Sequence, residues 1–198
     1  MSDQARSYRM HHRAESQQQT RLRITESAVE LHGTIGPSRT SISAVAAHAG
    51  VRRSTVYRHF PDEAALFDAC SAHWAAANPP PELGAWAVID DPDERLRVAL
   101  EELFDFYRRT ETMLENLFRD EQIVPLVQER FAAFRGYFAA AGDTLMAGRK
   151  LRGAARRRTR AALGHAVSFS TWKSLVREQG LNDSDAVALM RALVGRAG

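Results

Sequence analysis

The sequence has one cysteine in 198 residues, Cys70. It can therefore form no internal disulfide and no CxxC metal or redox site. Lysine is nearly missing as well, with two residues against 25 arginines. No apolar run approaches the length of a membrane span, about eighteen residues. The opening MSDQARSYRMHHRAESQQQ carries charge but none of the apolar stretch that a secretory signal needs. GxxxxGK, GxGxxG, HExxH and GxSxG signatures are all absent, and the seven histidines are scattered. These absences lead us to expect a cytoplasmic protein without a membrane segment, cofactor or metal, and not an enzyme. A helical enzyme with a site of another pattern is the alternative from a different class.

What is present is enough to bury a core: 44% of residues are hydrophobic and 26% charged. The charge is unevenly placed. Residues 1–61 sum to +5, residues 62–148 to −10, and the run RKLRGAARRRTR at 149–160 to +7. A basic end on an acidic body is the asymmetry of a chain that meets a polyanion with one end. A solvated surface of mixed sign is the alternative on charge alone.

Helical periodicity dominates and no alternating strand appears. Ile24, Ala28 and Leu31 mark a first helix over about 20–32, ended by Gly33, Gly36 and Pro37. Thr40 and Ser41 offer hydroxyls at the start of a second helix. Gly50 should end it, because the sharp turn suits a residue that tolerates positive φ. A third helix runs from about Arg52 to His59, closed by Pro61 acting on Phe60. Asp62 is the expected cap of a fourth, with Leu66, Cys70, Trp74 and Ala77 on its apolar face. A loop follows Asn78-Pro-Pro-Pro81, and a helix with Leu96, Leu100, Leu103 and Tyr107 starts near Pro92–Asp93. A short helix with Met113, Leu114, Leu117 and Phe118 comes next. A long helix from Pro125 carries Val127, Phe131, Phe134, Phe138 and Leu145. Another spans about 155–178, Gly180 ends it, and Asp183 or Ser184 caps the last. The expectation is an all-α chain of about nine helices.

The segment 42–60 is the informative one. A helix-turn-helix needs a small residue where its helices cross, a glycine in the turn, and an aliphatic residue facing back from the second helix. Ala46, Gly50 and Val56 stand at the fifth, ninth and fifteenth positions counted from Ile42. The outward face of the second helix is Arg52, Arg53, Ser54, Thr55, Tyr57, Arg58 and His59. In a major groove its N-terminal residues would meet base edges. Arg53 is the candidate for reading a guanine, through paired bonds to O6 and N7. Ser54 and Thr55 suit bases or phosphates, and Tyr57 and His59 suit phosphates. Arg52 and Arg58 fit equally as solvated charges or ion-pair partners.

The stretch RITESAVELHGTIGPSRTSISAVAAHAGVRRSTVYRHFPDEAALFDA resembles the DNA-binding region of the tetracycline-repressor (TetR) family. TSI, AGV, STVYRHF and PDEAALF carry the likeness. The resemblance implies a three-helix DNA-binding head over 20–66, preceded by a flexible basic arm at 1–19. A ligand-binding and dimerisation body over 67–198 would follow. It implies a homodimer on a near-palindromic double-stranded operator, most often repressing transcription until a small ligand releases it. The positions matching Arg53, Ser54, Thr55, Tyr57 and His59 are frequent DNA contacts in the family, and the hydroxyl matching Ser41 often meets a phosphate. Glu63 departs from the pattern, which commonly has lysine there. A carboxylate suits the helix dipole but repels phosphate. Arg6, Arg9, Arg13, Arg21 and Arg23 of the N-terminal segment are the candidates to compensate by reaching the backbone or minor groove, with simple disorder of residues 1–18 as the alternative. A sensor of the same fold without operator binding is the reading that Glu63 favours.

For the body, the resemblance implies a cavity for a small apolar or aromatic molecule. Trp74, Phe104, Tyr107, Phe118, Phe134, Phe138, Phe169 and Trp172 are its candidate lining; ordinary core packing is the alternative for each. His165 shares a predicted face with Phe169 and Trp172, facing either the cavity or a hydrogen-bonding partner in the core. Asn116 and Tyr137 are further polar candidates. Gly164, Ser168, Thr171 and Leu175 on the opposite face, with Val187, Met190 and Val194 of the last helix, are the expected dimer interface. The arginine run at 149–160 reads as a solvated loop, or else as a site for an anionic ligand or a distal DNA contact.

Overall fold

A computed structural model describes residues 2–198, and the side chains of all of these except residues 2–6 and 9. Every regular element among them is helical. In chain order they are α1 (Ser2–Thr34), a 3-10 turn (Pro37–Arg39), α2 (Ile42–His48), α3 (Arg53–His59), α4 (Glu63–Ala77), α5 (Leu83–Ala87) and α6 (Pro92–Asp120). Then come α7 (Pro125–Arg130), α8 (Ala132–Met146), α9 (Gly153–Ala166), α10 (Phe169–Lys173) with a π turn (Ser174–Glu178), and α11 (Asp183–Ala197). The all-α expectation holds, and the count is close to nine.

The differences have local causes. Helix α1 extends back through residues 2–19, whose Arg, Gln and Ala suit a helix although residues 7, 8 and 10–19 are all exposed. Helix α6 is continuous through 107–113, where no glycine or proline interrupts it. A short helix, α5, forms within the expected loop because Trp86 is buried and its indole N–H donates to the Glu102 carboxylate at 2.7 Å. The helix expected over 155–178 breaks at Val167–Ser168. There the Ser168 hydroxyl accepts from the Thr171 amide and caps α10. The last helix is capped by Asn182, not by Asp183 or Ser184.

The chain divides into two compact units: residues 1–79 with 112–128, and residues 80–111 with 129–198. The first has a core of Ile24, Ala28, Ile42, Val45, Ala46, Val56, Phe60, Leu66 and Cys70. The C-terminal part of α6 holds the end of α1. Asn116 donates to the His32 and Gly33 carbonyls at 3.0 and 2.9 Å, satisfying acceptors that the helix end leaves open. Asp120 accepts from the Ser38 amide at 2.8 Å and pairs with Arg119, which also donates to the Ile35 carbonyl. Gly36 has φ +90°, and a Cβ there would lie 2.0 Å from an Arg119 nitrogen, so the clamp requires glycine. Burial pushes the Asp120 carboxyl up, but the bonds from Arg119 and Ser38 outweigh this and hold it below the usual range. Beside this clamp, His32 is buried with Nδ1 3.5 Å from the Cys70 sulfur. Desolvation lowers its pKa to about 4, against the opposing pull of Asp120. Burial likewise raises the Cys70 thiol to about 12, so the lone cysteine is an inert core residue.

The second unit is organised around Tyr107. The rings of Phe104, Phe138, Phe169 and Trp172 lie 5.5–6.4 Å from it, and its hydroxyl donates to the Val167 carbonyl. Arg95, 5% exposed, is a second organiser. Its guanidinium donates to the carbonyls of Trp86, Ile89, Thr144 and Ala147, at the ends of α5 and α8. A cation placed at two helix C-termini satisfies acceptors that those helices cannot satisfy themselves.

Candidate nucleic-acid interface

The interface is built by local signals that the sequence displays. The Ser41 hydroxyl accepts from the Ala44 amide at 3.1 Å and starts α2. Gly50 takes φ +65° in the turn, and the Val51 amide returns to the Ala46 carbonyl at 2.9 Å. Val56 is fully buried and seats α3 on the core, while Phe60 turns to extended geometry ahead of Pro61. Asp62 then caps α4 through the Ala65 amide at 2.7 Å.

This seating leaves Arg52, Arg53, Ser54, Tyr57 and Arg58 exposed, with Thr55 and His59 half-buried. Arg53 donates to the Tyr57 hydroxyl at 3.2 Å, and its guanidinium lies 5.5 Å from that ring. The two side chains are thus held together before any partner arrives. Ser41 is exposed, although its oxygen is engaged in the cap. His59 has its pKa lowered by burial and by the neighbouring Arg58 and Arg21. Glu63 is exposed in the first turn of α4.

Arg21 plays a part that sequence inspection missed. It was grouped with the basic N-terminal segment, but its guanidinium donates to the His59 carbonyl at the end of α3 and lies 4.1 Å from the Phe60 ring centre. It fixes α3 to α1. The spacing of 38 residues gave no local signal of this. The side chains of Arg6 and Arg9 lie outside the described residues, and Arg13 and Arg23 are exposed.

Residues 24–70 match the model of the bacterial regulatory proteins of the tetR family. The chain carries a tetR-family head. DNA-binding transcription regulation is the class of function that this head and the fold support. Among solved structures, a Clostridium perfringens protein provisionally described as a fatty acid metabolism regulator is similar at 16% identity. It has a TM-score of 0.64 and covers 87% of this chain and 96% of its own. A mutant of HlyIIR is similar at 18% identity and a TM-score of 0.63, covering 89% and 96%. A tetR-family regulator from Streptomyces coelicolor is similar at 19% identity and a TM-score of 0.57, covering 91% and 79%. At these identities the likeness is one of fold. No curated protein matches.

Outside the matched head, the structure places the candidate pocket residues as follows. The candidate cavity residues do not form one set: Trp74, Asn116 and Phe118 belong to the first unit, and Asn116 is committed to the α1 carbonyls. Phe104, Tyr107, Phe169 and Trp172 are buried in ring-to-ring packing, with Phe134 and Phe138 edge-on at 4.8 Å. Tyr137 donates to the Pro81 carbonyl at 2.9 Å. His165 shares no helix with Phe169 and Trp172, because α9 ends at Ala166. It is exposed, with Nδ1 3.2 Å from the Thr171 hydroxyl.

The residues of the expected dimer face are placed differently from one another. Thr171, Val187, Met190 and Val194 are buried within the chain itself. Gly164 is exposed, and Ser168 and Leu175 are half-buried, on segments that the break at 167–168 separates. The large apolar residues that α11 leaves uncovered are Leu189 and Leu193, 47% and 42% exposed. Helix α11 is apolar on two sides, and the sequence alone did not say which side the monomer covers. Among the described residues no helix is long and apolar enough to cross a membrane.

Proposed function

We propose that this chain is a ligand-responsive transcriptional regulator of the cytoplasm. It binds a near-palindromic operator as a homodimer, represses, and is released by a small apolar or aromatic molecule. The observation that carries this reading is the outer face of α3, with Arg53 and Tyr57 preordered on a helix pinned by Val56 and Arg21. Arg53 reads a base edge; Arg52, Ser54, Thr55, Tyr57, His59 and Ser41 serve as base or phosphate contacts that set register. Pairing uses the exposed α11 face of Leu189 and Leu193, and two-fold symmetry sets the recognition helices roughly 34–36 Å apart on successive major grooves. The ligand engages the aromatic cluster around Tyr107 by displacing packed rings. Operator and ligand then weaken each other by the same factor.

The test is selection of bound duplexes from a random library, followed by anisotropy titrations of the winner against salt. A palindromic winner bound far above scrambled DNA is expected. Arg53→Ala should cost about 1–3 kcal/mol and relax one position of the site. Weak, salt-sensitive and sequence-blind binding would overturn the reading. Arg21→Ala separates positioning from contact. It should weaken operator binding while leaving the salt slope unchanged, whereas losing a phosphate contact lowers that slope by about one.

A further inference from the structure

The run at 149–160 takes no part in the DNA-binding reading. It holds seven cations and no acid of its own. Two of the seven are paired, Arg149 with Asp93 at 2.9 Å and Arg160 with Asp143 at 2.6 Å. Arg158 donates to the Ala197 carbonyl at 3.1 Å, so the end of α11 lies beside the start of α9. Lys150, Arg152, Arg156, Arg157 and Arg158 are exposed and have no carboxylate partner among the described residues. Gly198 packs against Leu151, and its carboxylate is counted against the patch. Seven cations then face three anions, a net charge of +4.

Nothing within the fold offsets this crowding. Arg152 and Arg156 stand one turn apart, and like charges at that spacing destabilise a helix. Cations in a first turn oppose the helix dipole, which favours acids there. The first turn of α9 has no acid, and the Arg152 side chain makes no cap bond. A breach of local rules that no contact in the fold compensates belongs to a functional surface.

The spread of the charges selects the partner. Successive residues of a helix are turned by about 100°. Arg156, Arg157 and Arg158 therefore point in three directions and cannot close together on one small anion. Arg152 and Arg156 follow each other by about 6 Å along the axis. Such a band fits an extended row of anions. Four of the five unpaired cations are arginine, whose fork suits phosphate oxygens. The run contains no Trp, Phe, Tyr, Ile or Met, and Leu151 is half-buried, so it lacks the apolar face of a helix that lies in a membrane.

We propose that the start of α9 is a second nucleic-acid surface, which holds the phosphate backbone of duplex DNA and reads no base. Phosphate contacts add affinity and salt dependence without sequence preference. None of its residues belongs to α3, so it stands apart from operator reading.

The test is an anisotropy titration of the full chain with a labelled random-sequence duplex over a series of salt concentrations. One variant carries Lys150→Gln, Arg152→Gln, Arg156→Gln and Arg157→Gln. A control loses the same charge from exposed positions elsewhere in the unit, through Arg109→Gln, Arg130→Gln, Arg135→Gln and Arg191→Gln. The patch variant should bind the random duplex tenfold or more weakly. Its salt slope should fall by about two to four, at about 0.9 per phosphate contact. The control should keep the wild-type slope. The duplex should protect Arg152, Arg156 and Arg157 from phenylglyoxal, read by mass spectrometry, in the Arg53→Ala chain as in the wild type. Relief of repulsion should leave the melting temperature of the patch variant unchanged or raised. Equal losses in patch and control variants overturn the proposal, as do an unaltered slope or unprotected arginines. So does a marked fall in melting temperature, or stronger protection by phosphatidylserine vesicles than by duplex. Preference of one duplex over another is a separate ratio set by α3, so failure here leaves the regulator reading intact.

Discussion

Arg95→Ala is expected to lower the unfolding free energy by about 3–5 kcal/mol, because it leaves several buried carbonyls unpaired at about 1–3 kcal/mol each. The guanidinium is buried and makes its bonds to backbone carbonyls of Trp86, Ile89, Thr144 and Ala147. Alanine leaves those acceptors dry and unpaired, and it opens a void between the ends of α5 and α8. Arg95→Lys keeps the charge but offers three donors from a single nitrogen, which cannot span two helix ends, so an intermediate loss is expected. Urea denaturation followed by tryptophan emission checks both, since Trp86 and Trp172 lie in the same unit as Arg95. A loss below about 1 kcal/mol for alanine would show that water replaces the guanidinium there without cost.

Stability should also fall by about 3 kcal/mol between pH 6.5 and pH 4, on account of His32. Its pKa is near 4 in the folded chain against 6.5 for a solvated imidazole. The folded state thus holds the neutral ring, while the unfolded chain takes up a proton as pH drops through 6.5. Below that point each pH unit removes about 1.4 kcal/mol, until the folded pKa is reached. Asp120 contributes in a different window. Its carboxyl is depressed, so its contribution is lost only as pH falls below the ordinary carboxylate range. Half-buried His59 shifts in the same direction as His32, so the comparison must be made against His32→Leu. Denaturation of both proteins at pH 7, 5 and 4 should show the wild-type slope flattened in the variant. Parallel slopes would place the acid sensitivity elsewhere.

The face proposed to meet DNA was legible because each of its determinants is local. Ser41, Gly50, Pro61 and Asp62 act on backbone atoms within four residues of themselves, and Ala46, Val56 and Ile42 follow helical spacing. Arg21 was not legible as a positioning residue, because its acceptor stands 38 residues away and an arginine near a basic terminus looks like any other. The body was harder for a related reason. A stripe such as Phe134 and Phe138 has the same spacing whether it lines a cavity or packs against a neighbouring helix. The single helix expected over 155–178 concealed a serine cap at 168 that redirects everything after it.

The sequence by itself determined the helical class and the residues that α3 presents outward. Caps, turns and periodicity are written into neighbouring positions. Only the tertiary structure decided which side of α11 is covered and where the buried cation Arg95 finds its acceptors. It alone showed that Asn116 closes the end of α1. The bonds of Arg95 to the end of α8 and of Asn116 to the end of α1 join atoms 49 to 84 residues apart in the chain. Solvent exclusion and hydrogen-bond demand fix them only once the helices have packed.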